Sequence, residues 1–265
     1  MNELVQQLLI GGALALLLAG LGSFIILRRL SWFSDGMAHV SLGGLGIATI
    51  AAWQPLPVAL IWTMLAALII YWLERNTKLP SDAIIGILFT ASMALGIIIF
   101  ETIGSDMEEL EEALFGGLNA ISGSDLWMIL GLGAVILAWL FVSHRKLTLM
   151  GLSEDLARAS GVNIQTQTII LYLSLAATTV LGAKVLGVVL VSALLIIPAS
   201  ISRLITHSFR SYTIVSLIVA ELVMLSGILV AYKQDLSPGP VTILIGAGLF
   251  IVLSVVQASR IIKTK

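Results

Sequence analysis

Apolar stretches alternate with short polar connections nine times along the chain. The stretches run over residues 8–27, 33–53, 56–73, 82–100, 125–143, 166–182, 184–203, 212–232 and 240–258. Each is close to the ~20 residues that cross a bilayer as helix, so the pattern predicts nine membrane helices in one bundle. The polar connections are not symmetric. Arg28 and Arg29 follow the first stretch, Arg75 and Lys78 the third, and Arg145, Lys146 and Arg158 the fifth. Arg203 and Arg210 follow the seventh, and Arg260, Lys263 and Lys265 the ninth. Only Lys184 and Lys233 fall in the alternate connections, so 12 of the 14 Lys and Arg lie on one side. Basic residues concentrate on the cytoplasmic side, which predicts an amino terminus outside and a carboxyl terminus inside. The first stretch has no basic residue before it and no small-residue cleavage site after it, and reads as a retained helix rather than a signal peptide.

The second stretch breaks the apolar rule. Trp32-Phe33-Ser34-Asp35-Gly36-Met37-Ala38-His39-Val40-Ser41-Leu42-Gly43-Gly44-Leu45-Gly46 places a carboxylate and an imidazole four residues apart. On a helix that spacing stacks them on one face, one turn apart. A carboxylate oxygen and an imidazole nitrogen so placed can share a divalent transition metal. The plainer alternative is that Asp35 caps the helix and His39 bonds a neighbouring carbonyl. The scarcity of ionisable groups within membrane segments, where they are costly and usually functional, favours the metal. The small residues around the pair would let another helix, or a second copy of this one, come close. The position next to Arg28 and Arg29 puts the pair towards the cytoplasmic half.

The connections carry further signals. Glu101, Asp106, Glu108, Glu109, Glu111, Glu112 and Asp125 make the connection around residues 101–125 acidic, with no Lys or Arg. This is a solvated face or a funnel for cations, and Leu114 to Ala120 within it predicts a short helix. The longest inside connection, Leu147 to Gln165, contains a capped helix: Ser153 as cap, Glu154 and Asp155 in the first turn, and Gly161 as the stop. Leu156, Ala157 and Arg158 fill its centre. It reads either as a linker or as a docking element for a cytoplasmic partner. Pro198 in the seventh stretch removes a backbone donor and predicts a kink. Glu221 lies inside the eighth stretch.

Composition narrows the class. The chain of 265 residues is 58% hydrophobic and 11% charged, with a mean hydropathy of +1.07. An average soluble domain has about 25% charged residues, so this is a single polytopic membrane domain over residues 1–265. A formal net charge of −1 gives no basic field for nucleic acid. The absence of cysteine excludes disulfides and thiolate ligands. There is no phosphate-binding G-x-x-x-x-G-K-[ST] loop and no H-E-x-x-H helix, which disfavours a built-in ATPase or a membrane metalloprotease. An ion-gradient transporter would need a line of intramembrane acids or histidines, and only Asp35, His39 and Glu221 are available.

Several of these pieces occur together in one known family. Gly22-Ser23-Phe24 through Arg28-Arg29-Leu30-Ser31, Ser34-Asp35-Gly36-Met37-Ala38-His39 and Leu114-Phe115-Gly116 stand in order. The Ser153 to Val162 helix, Leu186-Gly187 through Leu195-Ile196-Ile197-Pro198-Ala199 and Ser237-Pro238-Gly239-Pro240 complete the set. In their shared order and spacing the chain resembles the metal-ion permeases of ATP-binding-cassette importers, which take up zinc, manganese or iron. It looks most like the branch that imports zinc in Gram-negative bacteria. The resemblance implies an all-α bundle of the type II importer kind in the bacterial inner membrane, working as a homodimer. It implies a cytoplasmic ATPase subunit that carries the hydrolysis, a periplasmic metal-binding protein that delivers the ion, and Zn2+ as transported substrate with no permanently bound cofactor. It implies that Asp35 and His39 act in metal passage. It also implies that Ser153, Glu154, Asp155, Leu156, Ala157, Arg158 and Gly161 form the coupling helix. The Glu108 to Glu112 run has no counterpart in the family pattern.

Overall fold

A computed structural model describes residues 3–103 and 123–263 of the chain. Among these residues the chain forms ten helices: α1 (Glu3–Leu27), α2 (Ser31–Ala51), α3 (Pro55–Asn76), α4 (Ser81–Ile103), α5 (Gly123–Leu152), α6 (Glu154–Ala159), α7 (Ile164–Leu186), α8 (Val188–Ile205), α9 (Phe209–Gln234) and α10 (Pro238–Lys263). All but the six-residue α6 correspond to the nine apolar stretches. Eight are long and apolar enough to cross a membrane. The exception among the long helices is α2, where four glycines, three serines, Asp35 and His39 dilute the apolar content. Its polar positions are tolerated because α2 is covered by protein: most of its residues from Phe33 to Gly46 are buried.

The helix ends follow local chemistry. Pro55 sits at the start of α3, where its missing N–H costs nothing. Ser153, Asn163 and Ser208 accept backbone N–H bonds at the starts of α6, α7 and α9. The third, fourth and ninth stretches match their helices closely. The fifth does not: α5 continues through His144, Arg145 and Lys146 to Leu152, so the expected connection from Leu147 is helical for its first six residues. The sixth stretch continues further than expected, to Leu186, so the one-residue break before the seventh falls at Gly187 rather than at residue 183, and α8 begins at Val188. Gly187 has φ +82°, a conformation that suits glycine, and it turns the chain without a loop. Pro198 lies inside α8, which stays helical across it to Ile205. The predicted helix of residues 114–120 and the acidic positions 106–112 lie outside the described residues.

The chain divides into two compact units, Met1–Arg29 with Ala193–Lys265, and Leu30–Ser192. In the first, α1 packs on α9 and α9 on α10. Glycines set the distances: a Cβ on Gly22 would collide with the Leu195 carbonyl, and one on Gly227 with Thr242. The Tyr212 hydroxyl donates to the Ser23 carbonyl (3.2 Å), and Ile201, Val219 and Val223 form a buried cluster. A Cβ on Gly12 would stand 3.1 Å from the Glu221 carboxylate, so Glu221 faces the backbone of α1. In the second unit, α2 is the centre, packed by α3, α4 and α7. The Trp62 indole donates to Ser92 Oγ (2.9 Å), which donates to the Val40 carbonyl (2.7 Å), tying α3, α4 and α2 together.

Candidate functional site

Asp35 and His39 stand in the second and third turns of α2, in one unbroken helix, so the expected i, i+4 placement on one face holds. Neither plays the plainer role. The cap position of α2 is Leu30, with no side-chain cap bond. Asp35 reaches across to α8 instead: the Ser192 hydroxyl lies 3.1 Å from its Oδ1, as donor, and 3.3 Å from the Val188 carbonyl. His39 packs the edge of its ring on Phe89 of α4, with centroids 5.2 Å apart. Its Nδ1 is buried and has no hydrogen-bond partner. A carboxylate steadied by one hydroxyl and an imidazole with an open nitrogen are donors that a divalent cation could use. Among the described residues no three His, Asp or Glu side chains come together. Among the described residues the pair offers two donors.

Small residues allow this crowding. Gly36 faces Ile85, Gly43 faces Ser92, and Gly46 faces Gly96 and Ile99, so α4 lies directly along α2. On another side of α2, Ala38 packs with Ala183 at the end of α7 and Val188 at the start of α8. The break at Gly187 is thus set against the middle of α2, and it is this break that brings Ser192 to Asp35.

Beside it lies a cavity of about 390 Å³. Ser41, Thr49 and Trp53 line it from α2 and its end, Phe100 from α4, and Val180 and Lys184 from α7. The Ser41 hydroxyl in its wall donates to the Ala38 carbonyl (2.6 Å). Lys184, expected in a polar connection, is instead half-buried in the last turn of α7 and forms part of the cavity wall.

The Ser153 segment folds as its sequence pattern predicts. The Leu156 N–H donates to Ser153 Oγ (3.3 Å), α6 covers Glu154–Ala159, and Gly161 takes φ +77°. Arg158 stands 3.9 Å from Glu154. Ala157 is buried, whereas Leu156 and Ala159 are exposed, Leu156 by 50%. A bulky apolar side chain held outward on a short capped helix is suited to a protein partner. Sequence reasoning missed Ser192 and Gly187 as parts of the site. Gly187 was named only within the family pattern and shared the junction with Gly182, so nothing local marked it as the break; Ser192 had no signal.

The profile of the ABC 3 transport family matches residues 1–257. The high-affinity zinc uptake system membrane protein ZnuB of Haemophilus influenzae is 30% identical over 259 residues, covering 97% of this chain and 98% of that one. The manganese transport system membrane protein MntC of Halalkalibacterium halodurans is 31% identical over 247 residues, covering 93% and 85%. Among solved structures, PsaBC from Streptococcus pneumoniae in complex with Fab superposes with a TM-score of 0.83 at 27% identity, covering 96% of this chain and 91% of that chain.

Proposed function

The chain belongs to the ABC 3 transport family, and we propose that it is the zinc-conducting subunit of an importer, with Asp35 and His39 as transient ligands of the ion. It is a metal-transporting permease subunit and a multi-pass protein of the bacterial inner membrane. Permeases of this kind hydrolyse nothing themselves; ATPase activity lies in a separate subunit, and a substrate-binding protein delivers the cargo. The whole of residues 1–265 forms one permease domain in this reading, supported by a family match that runs from residue 1 to 257.

The observation that carries the site is the pairing of a steadied carboxylate with an open imidazole on a protein-covered helix. Two donors bind a divalent ion weakly, and weak binding suits a station that must release its cargo. The remaining coordination comes from water or from the same helix of a second copy, and the family resemblance supports a homodimer as the working unit. ATP-driven motion of the partner shifts the permease between outward-open and inward-open states. Zinc is favoured by the imidazole and by the near-complete overlap with the zinc relative. Manganese is the second reading, favoured by the relative named for manganese transport, since Asp and His serve both ions.

Uptake of radioactive zinc by cells carrying Asp35→Ala or His39→Ala tests the assignment. Each variant should insert normally, bind its ATPase and lose uptake. Normal uptake in both removes the pair from the pathway, and competition of wild-type uptake by manganese at equal concentration would favour the manganese reading.

A further inference from the structure

The link between the cytoplasmic face and the metal pair is written in one stretch of chain. Helix α6 ends at Ala159, and four residues later Asn163 accepts the Thr166 N–H (3.1 Å) and starts α7. Both helices belong to the unit Leu30–Ser192, which also contains Asp35 and His39. Two turns into α7, Tyr172 is 96% buried, with 4% of its surface exposed. Its ring lies 4.5 Å, centroid to centroid, from that of Phe33, tilted by 46°. Phe33 is fully buried and stands two residues before Asp35. The Tyr172 hydroxyl donates to Glu74 Oε2 of α3 (2.9 Å). Tyr71, one turn earlier on α3, meets the Tyr172 ring edge-on at 6.3 Å and carries the Arg75 guanidinium 5.3 Å above its own ring.

We propose that Tyr172 is a positioning residue that transmits the movement of α6, along α7, to Phe33 and so to the Asp35 carboxylate. The inference rests on the reading of α6 as the coupling helix. Three features distinguish Tyr172 from a core filler. It touches α2 and α3 at once, through different parts of one side chain. Its hydroxyl binds a carboxylate whose second oxygen, Oε1, is buried without a partner, so Glu74 depends on this bond. It also lies on the segment that reaches α2 again further on, where Ala183 and Val188 meet Ala38 and Ser192 meets Asp35. A sliding or tilting α7 cannot move without carrying Phe33, because interlocked buried rings have no room to slip. Asp35 is then pulled from the Phe33 side while Ser192 holds it from the other.

The test uses the complete complex with its ATPase in proteoliposomes, with zinc-loaded binding protein outside. The readout is ions transported per ATP hydrolysed. Tyr172→Leu removes the ring and the hydroxyl; Tyr172→Phe keeps the ring. The Leu variant should assemble with its ATPase and hydrolyse ATP at the wild-type basal rate, yet its ion-to-ATP ratio should fall about tenfold. The Phe variant should recover most of that ratio. Equal ratios in wild type and Tyr172→Leu overturn the proposal. So does a loss that tracks assembled complex in both variants, which marks a packing role alone. Leu156→Glu in the same assay separates the two readings. If Leu156→Glu assembles and couples like wild type while Tyr172→Leu uncouples, α6 is not the docking element and the proposed path fails at its α6 end, although the Tyr172–Phe33 contact still couples α7 to α2. If Leu156→Glu loses its ATPase, or keeps it and uncouples, while Tyr172→Leu couples like wild type, docking stands and the transmission falls.

Discussion

Gly96 of α4 offers a quantitative test of how tightly α2 is held. A Cβ built on Gly96 would lie 2.8 Å from the Leu42 carbonyl oxygen and 2.9 Å from its carbon. Both are backbone atoms of α2, which cannot rotate away. Gly96→Ala therefore forces the two helices apart until the contact widens to at least 3.4 Å, the start of ordinary van der Waals distance. Overpacking of this kind costs about 1–3 kcal/mol. The same movement stretches the Ser92 bond to the Val40 carbonyl, now 2.7 Å, and a lost hydrogen bond adds about 1 kcal/mol. The sum is roughly 2–4 kcal/mol, or a melting temperature lower by about 5–10 °C for a chain of this size. Gly86 on the same helix is the control, because a Cβ there meets nothing within 4 Å. Gly86→Ala should be neutral or gain about 0.5–1 kcal/mol from helix propensity. Thermal unfolding of the purified protein in detergent reads both. A Gly96→Ala melting point within about 1 °C of wild type, or an equal loss in Gly86→Ala, would refute the close-approach argument. Metal uptake should also fall in Gly96→Ala and not in Gly86→Ala, since the displaced contact is one turn from His39.

Two further outcomes follow from the same structure. Leu156→Glu puts a charge on the outward apolar side chain of α6, and the ATPase should no longer co-purify with the permease, whereas the fold should keep its melting point because Leu156 is half exposed. A cysteine at Gln54, between α2 and α3, should react with an impermeant thiol reagent in intact cells, and one at Ser153 should not; the reverse pattern would invert the membrane orientation drawn from the basic residues.

What the sequence determined by itself was whatever depends on neighbours along the chain. Hydrocarbon runs of membrane length must be helices, because a lipid-facing backbone has to satisfy its own hydrogen bonds. Each of the nine runs is accordingly one long helix. Cap chemistry is equally local: Ser153 and Gly161 announced α6, and the structure has the accepting hydroxyl and the positive φ where they were expected. The i, i+4 spacing of Asp35 and His39 also needed only the helical repeat. The tertiary structure decided everything that depends on which helix faces which. Lys184 reads as a loop residue until α7 is seen to continue past it and turn on Gly187. Ser192 lies 157 residues from Asp35, and Tyr172 is 98 residues from Glu74. No local rule links such positions, because a serine or tyrosine in an apolar helix has the same propensity whether it faces lipid or a carboxylate. Packing across glycine-lined contacts chose those partners, and with them the surroundings of Asp35 and His39.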